Sequence, residues 1–98
     1  MEKTKVIYRT WENGSVIALF PELPSDRNGH YCMSYEHVGQ HGGASTGLVQ
    51  AHTRRSTHNE IKPLAQALTS IGYDLDPRLR ETPNMRQARM KEAHKAIA

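Results

Sequence analysis

Between Thr4 and Trp11 the side chains alternate with period two, placing Val6, Tyr8 and Thr10 on one face and Ile7, Arg9 and Trp11 on the other. That pattern predicts a strand. Glu12-Asn13-Gly14-Ser15 follows, and Asn-Gly predicts a type I′ hairpin turn with positive φ at both central residues. The return strand, Val16 to Phe20, is apolar throughout, as expected of a strand buried on both faces. Two prolines and a run of turn formers from Pro21 to Gly29 predict a long loop without regular structure. His30 to His37 alternates again, with Tyr31, Met33, Tyr35 and His37 opposite His30, Cys32, Ser34 and Glu36. A fourth strand, weakly supported by Leu48, Val49 and Ala51, is expected over Leu48 to Thr53.

The period then changes to that of a helix. Thr57 and Glu60 have capping-box spacing, Ile61, Leu64, Ala65, Leu68 and Ile71 form one stripe, and Gly72 stands where a helix ends. Pro63 predicts a separate or kinked first turn, because it removes a hydrogen bond and crowds the preceding turn. Tyr73 to Leu79 alternates around Pro77, as an edge strand would. Thr82-Pro83 opens a last helix whose stripe, Met85, Ala88, Ala93, Ala96 and Ile97, is thin. That helix has three possible fates: packing on the domain, joining a neighbouring subunit, or fraying. The expected fold is α+β, an antiparallel sheet of four or five strands packed by one main helix. Residues 1–80 would form the domain and residues 81–98 a basic helical tail.

A chain of 98 residues is one domain near the lower limit for an independent core. With 37% hydrophobic and 23% charged residues and a mean hydropathy of -0.71, that core is modest, so homo-oligomerisation is expected to bury more of it. Cys32 is the only cysteine, which excludes an intrachain disulfide and points to a reducing, cytoplasmic setting. No apolar run is long enough to span a bilayer, and the opening Met-Glu-Lys-Thr-Lys lacks the apolar stretch of a secretory signal. No membrane partner is expected. The net charge of +3 is concentrated late, where Arg78, Arg80, Arg86, Arg89, Lys91 and Lys95 face only Glu81 and Glu92. Nucleic-acid contact through this tail is the less favoured reading of that surplus.

Tyr35 to Gly47 is the segment richest in potential chemistry. Its glycines permit close approach of a backbone whose N–H groups attract anions, and His37, Gln40, His41, Ser45 and Thr46 add polar side chains. The candidate ligand-binding set is therefore Tyr35, for stacking, with His37, Gln40, His41, Gly42, Gly43, Ser45 and Thr46, closed by Arg54 and Arg55 on anionic oxygens. The commoner role for such a cluster is a plain connection, and neither phosphate-loop fingerprint is present. The dispersed histidines and lone cysteine match no zinc spacing, and Cys32 beside His30 or His37 lacks a third orienting group and an oxyanion hole. No enzyme activity, metal or cofactor is expected.

Val16-Ile17-Ala18-Leu19-Phe20-Pro21-Glu22, Cys32 to Gly42 and Ser70-Ile71-Gly72-Tyr73-Asp74-Leu75 carry a resemblance. Over roughly residues 4–79 the chain resembles short uncharacterised proteins of bacterial phages and mobile elements. The resemblance brings no binding residues with it, but it implies an anti-defence setting. The expectation is a non-enzymatic sponge for a phosphorylated or nucleotide-derived molecule. The alternatives are an inhibitor that docks on a bacterial immune protein through a sheet edge or the last helix, and a nucleic-acid-binding accessory protein.

Overall fold

A computed structural model describes residues 3–36 and 40–97. The elements run β1 (Thr4–Trp11), β2 (Val16–Pro24), β3 (Cys32–Glu36), β4 (Gln40–Ala44), α1 (Thr46–His52), β5 (Thr53–Arg55), α2 (His58–Ser70), β6 (Leu75–Arg78) and α3 (Pro83–Ile97). The class is α+β, and all but one of the strand pairings are antiparallel.

The sheet order is β4-β3-β2-β1-β5, and β6 also pairs with β1. The two short strands share one edge of β1 head to head. β5 runs antiparallel along Arg9 to Trp11, and β6 runs parallel along Thr4 to Ile7. Tyr8 lies between the two stretches along β1. The parallel pairing departs from the expected antiparallel sheet because the α2 crossover returns the chain to β1 in the direction of β1 itself.

Period-two alternation sorts the core into two clusters. Val6, Tyr8, Ala18, Phe20 and Tyr35 lie under α2, where they meet Leu64 and Leu68. Ile7, Ile17, Leu19 and Cys32 face the other way and meet Val49 of α1. α3 packs along β2 and buries Met85, Arg89 and Ala93. Of the three fates open to the last helix, the structure shows packing. Its anchor is polar: the buried Arg89 donates to the carbonyls of Gly29 at 2.7 Å and Pro21 at 2.8 Å and pairs with Glu81. Glu81 also accepts from the Thr46 hydroxyl at 2.8 Å, which ties α3 to α1.

Several expectations need correction. The β1–β2 turn is not type I′, since Gly14 has φ +89° and no non-glycine residue has positive φ among the described residues. Gly14 N–H donates to the Trp11 carbonyl and Trp11 N–H to Ser15, the pattern of a type I turn closed by a glycine bulge. β2 does not stop at Phe20 but continues to Pro24 across a register shift, and that irregularity accommodates residues with no N–H to donate. The segment expected as a fourth strand is helix α1, capped by Ser45, whose side chain accepts from Leu48 N–H. α2 is continuous through Pro63, which stands near enough to its start for the lost hydrogen bond to fall on the exposed Asn59. Its capping box is present as expected, and Gly72 at φ +110° ends it, with Tyr73 N–H returning to the Leu68 carbonyl.

Candidate functional site

The glycine-rich segment is a strand rather than a loop. Gly42 and Gly43 belong to β4, opposite Ser34 and Met33 of β3, so their backbone is extended along the sheet instead of curled around an anion. Tyr35 is buried in the cluster under α2 and presents no open face for stacking. Ser45 is occupied as the α1 cap, and Thr46 is buried with its hydroxyl on Glu81. Gln40 and His41 lie on β4; His37 falls outside the described residues.

Arg54 and Arg55 lie on β5, at the opposite end of the sheet order from β4. Four strand spacings separate the two, about 19 Å. Arg54 is already engaged by Glu60 in a bidentate pair of 2.8 and 2.7 Å. That pair, with the Thr57 backbone N–H, holds the Glu60 carboxyl down to about 2. Arg55 is exposed beside Arg9 across the ladder. The nominated residues thus occupy separate parts of the molecule, with structural duties for Tyr35, Ser45, Thr46 and Arg54.

A groove that the sequence did not nominate lies between α2 and β6. Its volume is about 760 Å³, within the roughly 300–1,000 Å³ typical of small-molecule sites. Its floor is built from Tyr8, Ile61, Ala65, Tyr73, Leu75 and Pro77. α2 and β6 hold these residues in place because the helix lies over the β1 face while β6 covers only the first half of the β1 edge. Tyr73 packs against Phe20 in a parallel stack with centroids 5.0 Å apart, which fixes its ring at the groove wall.

The rim is polar and has two unlike ends. His58 and Lys62, one turn apart on α2, stand at one end, and Thr69, Ser70 and Asp74 stand at the other. Helical rise puts Lys62 and Ser70 about 12 Å apart. On the wall between them, Tyr8 is 5% exposed, and its hydroxyl is the one buried side-chain polar atom without a hydrogen-bond partner among the described residues. Burial raises the Tyr8 pKa, so the phenol is a neutral donor at any ordinary pH.

Sequence reasoning missed this site because its residues come from three separated elements. Alternation correctly put Tyr8 on the face of Val6, but nothing local says that its hydroxyl meets no partner there. Candidate nucleophilic chemistry is also placed: Cys32 is fully buried, and desolvation pushes its thiol up to about 11, far from a reactive thiolate. No group of metal-ligating side chains converges among the described residues. Searches against family models, curated proteins and solved structures found no match to this chain.

Proposed function

We propose that this chain is a non-enzymatic binding protein that captures a small organic molecule in the groove between α2 and β6. The observation that carries the reading is the Tyr8 hydroxyl. A buried donor left without a partner costs roughly 1–3 kcal/mol, and it belongs to a residue that lines a largely apolar groove of ligand size. A bound acceptor would remove that penalty. Capture needs no turnover machinery, and in the anti-defence setting implied by the sequence resemblance such a protein would act by lowering the free concentration of its ligand.

The test is native mass spectrometry of the purified protein, paired with binding of an apolar fluorescent dye. Gln66 is exposed and lines the groove, so Gln66→Trp fills the space from a helical position that tolerates the larger side chain. A retained small-molecule mass, or dye binding, that Gln66→Trp abolishes supports the reading. Wild-type protein that holds neither, or equal dye binding by the variant, removes it.

A second reading rests on β4, a terminal strand with Gly42 and Gly43 exposed. Such an edge accepts another strand through main-chain hydrogen bonds, as an inhibitor docking on a bacterial immune protein would require. Protection of the β4 amides from hydrogen exchange on adding a partner, with the groove amides unchanged, would favour it.

A further inference from the structure

The two ends of the groove rim differ in charge, and Tyr8, whose buried hydroxyl has no hydrogen-bond partner among the described residues, lines the groove between them. Lys62 supplies an ammonium and His58 a ring N–H at the N-terminal end of α2, where the helix dipole has the same sign. The nearby Glu60 carboxylate is held by Arg54 and the Thr57 N–H, and so turns its charge toward those partners. At the far end Asp74, Thr69 and Ser70 offer oxygen acceptors. The floor between is apolar and aromatic.

Resting on the capture reading above, we infer that the groove takes a nucleoside monophosphate: a flat ring with a hydrogen-bond acceptor for Tyr8, and one anionic group for Lys62 and His58. The acceptor requirement follows from the donor. A site that contains a buried hydroxyl discriminates strongly against a ring that cannot bond to it, because the hydroxyl then stays unpaired. The anion requirement follows from the Lys62 end, since a phosphate seated there meets a charge and a ring N–H together. Asp74 and its neighbours suit the amino or hydroxyl groups of the ligand's other end. The aromatic floor, with Tyr73 fixed by Phe20, suits a planar ring better than a flexible chain.

The experiment compares adenosine 5′-monophosphate, adenosine and indole by isothermal titration against wild type, Tyr8→Phe and Lys62→Gln, with far-UV circular dichroism confirming each fold. Tyr8→Phe keeps the ring and Lys62 is exposed, so neither substitution removes core packing. The expected order on wild type is monophosphate, then adenosine, then indole. Tyr8→Phe should weaken monophosphate and adenosine by tenfold or more while leaving indole unchanged, and Lys62→Gln should bring the monophosphate down to adenosine. Equal affinities for all three, indifferent to both substitutions, would overturn the ligand class and leave the groove standing. Binding of none of the three, in a protein that also fails to bind the apolar dye, would overturn the groove itself.

Discussion

Replacing Tyr8 with Phe removes one buried oxygen that has no hydrogen-bond partner among the described residues. Stability should rise by about 1 kcal/mol, which for a 98-residue domain corresponds to a melting temperature higher by about 4–8 °C. A stabilised variant that binds ligand less well would show that the hydroxyl is kept at the expense of the fold. Arg89 behaves in the opposite way. Arg89→Met strands the buried Glu81 carboxylate and two backbone carbonyls, and should cost about 3–5 kcal/mol in chemical denaturation. Adding Glu81→Gln should recover a large part of that loss.

Glu81 also sets an acid limit. Burial pushes its carboxyl up, but the hydrogen bonds from Arg89 and Thr46 and the Arg89 charge outweigh this and leave it below the usual range. A depressed folded pKa means that the stabilisation is complete above the unfolded value of about 4.3 and is lost as pH falls through the folded one. Glu60, held down to about 2 chiefly by Arg54, acts in the same direction but is fully exposed to solvent screening. Urea midpoints measured between neutral pH and pH 3 should therefore fall, and Glu81→Gln should flatten the fall.

At the scale of elements, Thr57→Ala removes the α2 cap and should cost about 1 kcal/mol in thermal unfolding. Gly29 is more exacting. It has φ +75°, and a Cβ there would lie 2.8 Å from the Met90 Cα, so Gly29→Ala should lift α3 from β2 and destabilise by about 1–3 kcal/mol. Gly43 is less informative than the sequence suggested, since a Cβ there would meet Ser25 Oγ at 2.7 Å and its substitution would report on packing as much as on any ligand.

The elements that could be read from the sequence are those built on local signals: β1, the first half of β2, β3, α2 with its cap and terminal glycine, the short strand β6 around Pro77, and α3 opened by Thr82-Pro83. β4 could not, because glycine carries no strand preference and its extended form comes from pairing with β3. α1 could not either, being short and carrying Val49 as its one buried apolar residue. The β6 direction and the groove depend on where the chain returns after α2, and no local pattern encodes that. Of the candidate site, the sequence identified residues with suitable chemistry but could not know that Tyr35 and Thr46 would be enclosed, or that Arg54 would find Glu60.

At the scale of the whole molecule, the two layers of helices close over both faces of the sheet, and Cys32 sits fully buried beneath one of them. Its reaction with an aromatic disulfide reagent should follow global opening in the wild type and accelerate at least tenfold when residues 82–98 are removed. Stopped-flow labelling measures both.

The head-to-head placement of β5 and β6 has a further effect at this scale. One flank of the sheet is finished by a strand of three residues and a strand of four running in opposite directions, the latter interrupted by Pro77. An incoming strand of either polarity would lose register at the gap. The other flank, β4, is continuous. Through strand pairing alone, a molecule with one receptive flank and one refractory one can close into a pair around a two-fold axis but cannot extend its sheet into a filament.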